Sequence, residues 1–383
     1  MSEQIHPFTL SIPDDQLTDL RERLRLTRWP DRETVPDTGQ GPRLDKIRAL
    51  AEHWGSGYDW RRCEDLLNGF GQSRTRIDGV DVHFLHVRSP EPDALPLLMT
   101  HGWPGSVLEF RKVVGPLTDP AAHGGDSRTA FHLVVPSMPD FGFSGKPVEP
   151  GWTLASTADA WITLMDRLGY DRWGAQGGDL GAGVTDAIAR KAPAGLVGMH
   201  LNFAMFFPTP EERAEATPDE QAMLDSADYF WETLSGYAKE QSTRPQTIGY
   251  SLADSPVGLA AWIYAMFQDT CGTPGDAEAS FTHDELLDDI MLYWLPNAGT
   301  SSARTYWEMA RARTAGPPPS PIALPTGFST APEEHVRKSW RWIERRYSNL
   351  VHFGELDKGG HFLALEQPDL FTAEVRSTFA ALR

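Results

Sequence analysis

The sequence is poor in cysteine, in positive charge and in long apolar runs. Its 2 cysteines among 383 residues, Cys63 and Cys271, are too few and too far apart for a disulfide framework or a zinc-ligand spacing. A reducing, cytoplasmic setting is therefore expected. Lys and Arg total 35 against 53 Asp and Glu, a formal net charge of −18 spread along the chain. Without a cationic face, neither nucleic acid nor an anionic lipid surface is expected as a partner. The longest near-apolar run, Gly258 to Phe267, is about half of what a bilayer span needs. The opening Met-Ser-Glu-Gln-Ile-His-Pro has no cationic segment followed by an apolar one, so no signal peptide is expected. No internal repeat is visible.

What the chain does have is aromatic residues, with 13 Trp and 18 Phe, on an ordinary background of 40% hydrophobic and 23% charged residues. Most of these rings serve core packing; the surplus suggests an aromatic-walled cavity. Residues 1–74 read as a helical extension. Asp14 is placed as the cap of a helix carrying Leu17, Leu20 and Leu24 on one face, and helices follow over Leu44–Trp54 and Trp60–Leu67. Over 75–205 the pattern changes to strands at Arg74–Ile77, Val82–Val87, Leu95–Thr100, Phe131–Pro136, Arg172–Gln176 and Leu196–Asn202. Helices are expected at Val107–Leu117, Thr157–Leu168 and Leu180–Lys191 between the later strands. Asp78-Gly79 marks a hairpin turn. Residues 206–318 are helical, aromatic and broken by Pro and Gly, ending in Gly316-Pro-Pro-Pro319. Alternation resumes over 319–383, with a strand at Ile322–Leu324, a helix over Glu333–Arg346, a strand at Asn349–Gly354 and a last helix from Gln367. The expected fold is α/β of the α/β-hydrolase type: a mostly parallel central sheet flanked by helices, an inserted helical lid over the strand C-termini, and an N-terminal extension packed on core and lid.

Three stretches carry chemistry. Gln176-Gly-Gly-Asp179-Leu-Gly-Ala-Gly183 follows a strand and opens a helix, the setting of a nucleophile elbow. A helix cap explains Asp179 too. As an elbow residue, however, a carboxylate has a specific use. It attacks an sp³ carbon to leave an ester that water can cleave, where serine would leave a stable ether. His101-Gly-Trp-Pro-Gly105 follows an apolar strand, and its turn would aim the Trp103 N–H into the cleft beside that of Leu180. Two such donors make an oxyanion hole. Lys358-Gly-Gly-His361-Phe lies after the last strand, in the position of the histidine in the chain order nucleophile, acid, histidine. Its carboxylate partner is sought in Pro325-Thr-Gly-Phe-Ser-Thr-Ala-Pro-Glu333-Glu334, where either Glu also suits a helix first turn; Asp357 is a local competitor.

Together with Pro7-Phe8 through Thr27-Arg-Trp-Pro30 and Asp254-Ser-Pro-Val-Gly-Leu-Ala260-Ala261, these segments resemble the microsomal-type epoxide hydrolases over nearly the whole chain. The resemblance implies Asp179 as nucleophile, His361 as base and Glu334 as acid. It also singles out two lid tyrosines, Tyr237 and Tyr306, as donors to the epoxide oxygen. The implied reaction needs no metal and no organic cofactor. A soluble, bacterial-type member without the membrane anchor is expected, acting on a small hydrophobic, aryl-tolerant epoxide held by Trp103, Phe206, Trp231 and Trp262. Detoxification and secondary metabolism both fit, and a homodimer is left open. A haloalkane dehalogenase is the nearest rival, but its halide-binding Trp after the nucleophile is here Leu180. A non-catalytic ligand-binding α/β-hydrolase is the rival of another class.

Overall fold

In the computed structural model, which describes residues 4–312 and 320–382, nine strands form one sheet in the order β1-β2-β3-β5-β4-β6-β7-β8-β9. They are β1 His6–Pro7, β2 Gln72–Ile77, β3 Val80–Val87, β4 Leu95–Thr100, β5 Phe131–Pro136, β6 Trp173–Gly177, β7 Leu196–Leu201, β8 Thr326–Thr330 and β9 Leu350–Glu355. β1 through β3 pair antiparallel, as does β3 with β5; every later pairing is parallel. β4 and β5 are buried at every position, as strands covered on both faces must be. The β2–β3 turn pairs Ile77 with Val80, and positive φ values at Asp78 (46°) and Gly79 (83°) give the tight turn its twist.

Helices α1 Asp14–Arg25, α2 Leu44–Ser56 and α3 Trp60–Gly69 lie between β1 and β2, and α4 Leu154–Arg167 and α5 Asp179–Lys191 connect later strands. Between β7 and β8 the described residues are mostly helical. The principal elements there are α6 Gly236–Thr243, α7 Pro256–Thr270, α8 His283–Trp294 and α9 Gly299–Ala312; α10 Trp340–Arg346 and α11 Pro368–Phe379 close the chain. The expected Gly316–Pro319 cluster lies outside the described residues. No helix among the described residues is long and apolar enough to cross a membrane.

Several sequence expectations shift. Pro13, not Asp14, precedes α1, and Asp14 occupies the first helical turn, where its carboxylate pairs with Arg61 at 2.5 Å. The helix expected over Val107–Leu117 is a 3₁₀ turn, Val107–Phe110, followed by a short helix, Val114–Thr118. Pro116 has no N–H to continue an upstream helix, and its ring crowds the carbonyl four residues back. The strand placed at Ile322–Leu324 reduces to a single bridge from Ile322 to Tyr347, and the strand proper is β8. The helix expected from Glu333 begins only at Trp340, capped by Ser339, because Glu334 turns the backbone locally by accepting the Val336 N–H at 2.9 Å. β1 escaped notice because two residues carry no periodicity.

One apolar core runs from Leu17, Leu50 and Trp54 of the N-terminal helices through β4 and β5 to Leu286 and Ile290 of α8. A buried charge cluster pins the same junction. Asp288 on α8 receives Arg62 at 2.7 Å, Arg111 at 2.6 Å and the Tyr58 hydroxyl at 2.8 Å. Without Asp288, Arg111 would still pair with Glu285 at 3.0 Å and the part-exposed Arg62 with Asp284 at 3.7 Å, but the buried Tyr58 hydroxyl would lose its acceptor, at a cost of about 1–3 kcal/mol. Asp288→Ala should therefore lower unfolding free energy by about 1–3 kcal/mol in urea titration, whereas an effect below about 0.5 kcal/mol would show the junction is held by apolar contact alone.

Candidate active site

β6 ends in Gly177 and α5 begins at Asp179, so the chain reverses within two residues. The reversal holds Asp179 at φ 46°, a left-handed conformation uncommon for residues other than glycine. It also drives the first turn of α5 against the end of β4. A Cβ on Gly181 would sit 1.9 Å from the Thr100 carbonyl oxygen, so only glycine allows this approach. Asp179 thereby meets the 101–105 loop. The Trp103 N–H donates to Asp179 Oδ1 at 2.9 Å, and a Cβ on Gly102 would lie 2.2 Å from that same oxygen.

The loop is braced from beneath. Tyr293 donates to the Gly105 carbonyl at 2.7 Å and Ser106 donates to Asp289 at 2.6 Å. The Glu109 carboxyl lies directly under Gly105, where burial, with Asp289 nearby, pushes it up to about 8. Glu109 also accepts the Gly102 N–H. His101 is a structural histidine: Nδ1 donates to the Gly102 carbonyl at 2.9 Å, and Nε2 accepts the Met138 N–H at 3.2 Å. Burial depresses it to about 4, so it stays neutral.

His361 arrives on the loop after β9, its backbone N–H fixed to the Thr270 carbonyl at 2.8 Å. Its Nδ1 is 2.6 Å from Glu334 Oε2, and its Nε2 is 3.6 Å from Asp179 Oδ2. Burial alone would lower the imidazole, but the Glu334 carboxylate and Asp179 outweigh it and hold the ring well above its ordinary value. Glu334 is likewise buried, yet His361 keeps its carboxyl below the ordinary value. Glu333 and Asp357 are both exposed, so of the three candidate acids only Glu334 faces the histidine.

Tyr237, at the start of α6 behind a π-helical turn over Phe230–Leu234, and Tyr306 on α9 line the cavity opposite. Their hydroxyls share a hydrogen bond, and burial raises both phenols, so both keep their protons across the working pH range. The cavity measures about 540 Å³ and is bounded by Asp179, Leu180, His361, Glu334 and the two tyrosines, with Phe206 and Trp231 in its walls. Two expectations need correction. Trp262 sits on α7 outside the cavity lining, its indole N–H committed to Gln241 at 3.1 Å. The Trp103 ring is not in the wall either, because it is stacked behind Tyr237 at 4.8 Å and set edge-on to Tyr306 at 5.9 Å. Sequence reading missed Phe203, Met266, Met309 and Arg346 in the lining, and Glu109 and Tyr293 beneath the loop. Nothing marked them, apart from Glu109, which lies four residues beyond the loop's last glycine.

Residues 5–110 match the family model "Epoxide hydrolase N terminus" and residues 96–244 that of the α/β hydrolase fold. A relative from Stigmatella aurantiaca is 52% identical over 99% of this chain and 86% of its own length. Epoxide hydrolase 1 of Sus scrofa is 32% identical, covering 99% of this chain and 89% of that protein. The chain belongs to the microsomal-type epoxide hydrolases. The crystal structure of juvenile hormone epoxide hydrolase from Bombyx mori superposes on it with a TM-score of 0.90 at 27% identity, over 100% of this chain and 95% of that one. The Aspergillus niger epoxide hydrolase gives 0.87 at 30% identity, over 100% and 97%. As an epoxide hydrolase it is an enzyme of the α/β-hydrolase superfamily, and its sheet has the mostly parallel form expected.

The contact of Gly102 with Asp179 makes a direct test of the site. A Gly102→Ala methyl would displace the carboxylate, and misplacements near 1 Å cost on the order of 10²-fold in rate. Styrene oxide turnover should fall by about that factor with the thermal midpoint little changed; near-normal turnover would mean that this carboxylate position is unimportant.

Proposed function

We propose that this epoxide hydrolase works through a covalent ester on Asp179. The epoxide oxygen accepts hydrogen bonds from Tyr237 and Tyr306 while Asp179 Oδ2 attacks a ring carbon. The C–O bond breaks, and the departing alkoxide takes a phenolic proton. His361 then removes a proton from water, and the hydroxide adds to the ester carbonyl. The Trp103 N–H, with that of Leu180, stabilises the resulting oxyanion. Collapse cleaves the acyl C–O bond, His361 returns the proton to the leaving alkoxide, and the diol departs. The proton left on the new Asp179 carboxyl passes to His361, replacing the imidazolium proton that went to the phenolate after alkylation. Glu334 orients the imidazole and balances its charge throughout.

One observation carries this reading. The two oxygens of Asp179 face different partners: Oδ1 is tied to the Trp103 N–H, and Oδ2 faces the imidazole across 3.6 Å. One oxygen is thus held where an oxyanion would form, and the other is free of a backbone donor and open to substrate. The apolar lining favours a hydrophobic, aryl-tolerant epoxide. In the same reading, residues 206–318 act as a lid over the 75–205 and 319–383 core, with 1–74 bracing it. The setting is cytoplasmic, in detoxification or secondary metabolism.

A single turnover in ¹⁸O-water with enzyme in excess should yield unlabelled diol, because the new oxygen comes from Asp179. Asp179→Asn should not alkylate, and His361→Gln should accumulate the ester, seen as added mass on the protein. Labelled first-turnover diol would instead establish direct attack by water.

The electrostatics add a pH signature. Asp179 is among the charges that raise His361, and esterification removes that charge. The histidine's affinity for a proton must therefore drop once the ester forms, freeing Nε2 to act as base. Ester breakdown, timed by quenched flow, should accelerate as pH rises through a midpoint below that of the free-enzyme imidazolium, measured by ¹⁵N NMR. A midpoint at or above the free-enzyme value would remove His361 from this role.

A further inference from the structure

The cavity does not end at the reacting carboxylate. Asp179, Gly183 and Asp186 all line it, and they stand four and three residues apart along α5, one stripe of a single helix. At 1.5 Å of rise per residue, the stripe spans about 10 Å. Its far end differs chemically from its apolar middle. Arg346 lines the cavity there, 3.5 Å from Asp186 Oδ1. That carboxylate is already engaged more closely, by Arg190 at 2.8 Å and by the Tyr347 hydroxyl at 3.2 Å. Among the described residues, Arg346 Nε is a buried donor with no hydrogen-bond partner. The guanidinium also lies 5.9 Å from the ring of Phe206, another lining residue. A guanidinium offers five N–H donors in a fixed plane, and leaving buried donors unmade is costly. A substrate's hydrogen-bond acceptor would meet this guanidinium where Arg346 lines the cavity.

We infer that Arg346 is a specificity-determining residue, receiving a carbonyl oxygen carried by an elongated apolar epoxide about 10 Å from the ring carbon that meets Asp179. The inference rests on the assignment of Asp179 as the reacting group. The substrates favoured are long and mostly hydrophobic, with the epoxide at one end and an ester, amide or acid carbonyl at the other. Asp186 works as a positioning residue that, through its shared ion pairs, keeps the guanidinium at the wall.

Phenyl glycidyl ether, its para-carboxamide and its meta-carboxamide test this directly. The para-carboxamide should show a kcat/KM roughly tenfold above that of the parent ether, the scale of one hydrogen bond to a charged donor. Most of the gain should lie in KM, and the meta isomer should lack it. Arg346→Met should abolish the para preference as a ratio of kcat/KM values, and Arg346→Lys, which keeps a cation beside Asp186, should reduce it. Calorimetric binding of the corresponding diols gives the same comparison without turnover. A diol preference for the para-carboxamide with no hydrolysis of any epoxide would overturn the Asp179 mechanism but uphold this subsite. Equal affinities in the wild type, or a preference unchanged in both variants, would overturn the subsite.

Discussion

Backbone-to-backbone contact between the first turn of α5 and the end of β4 is the constraint from which the site follows. Gly181 can lie against the Thr100 carbonyl only because it has no side chain. That closeness puts Asp179 within reach of the Trp103 N–H on the loop that leaves β4. The cost is a left-handed residue at position 179, about 1 kcal/mol for a non-glycine. Tyr293, Ser106 and Glu109 offset it by fixing the opposing loop from below. The strain is stored where the chemistry is, and the rest of the fold holds it there.

The same closeness creates a charge problem. Asp179, Glu334 and Glu109 crowd one imidazole, with Asp289 beside Glu109, in a region almost closed to solvent where like charges repel strongly. Burial resolves it by pushing Glu109 to about 8 and Asp289 to about 7, so the acids beneath the loop give up charge near neutrality. Glu334 and Asp179 are left to share the histidine. On the proposed mechanism this asymmetry is useful. The free enzyme keeps the imidazole proton and an attacking carboxylate together, and the ester form loses the charge that held that proton.

Much of this arrangement was legible because glycine and chain order carry geometric information. Asp179 and His361 each sit beside a glycine turn that announces its shape, whereas only the resemblance separated Glu334 from Glu333; the structure brings Asp179, His361 and Glu334 together. The aromatic predictions fared unevenly. Phe206 and Trp231 reach the cavity, whereas the Trp262 and Trp103 rings do not, since a ring's presence says nothing about which face of its helix or loop it occupies. The acid-bearing strand was displaced by four residues because Ile322–Leu324 and Thr326–Thr330 both suit an extended chain, and only pairing with β7 and β9 selects the second. The tyrosines came from resemblance alone, because a phenol's role depends on what faces it.

The α5 stripe shows what periodicity can still add once a site is anchored. With Asp179 fixed as the first turn, positions 183 and 186 must share its face, whatever the surrounding lid does. A rigid helix therefore sets the distance between the Asp179 carboxylate, the reacting group of the proposed mechanism, and the Asp186–Arg346 pair. Phe206 and Trp231 line the cavity from the segment between β7 and β8 and do not set that spacing. On the proposed reading, selectivity for substrate width would evolve in the segment between β7 and β8, and selectivity for length along α5. The two could vary independently without disturbing the strained turn that both depend on.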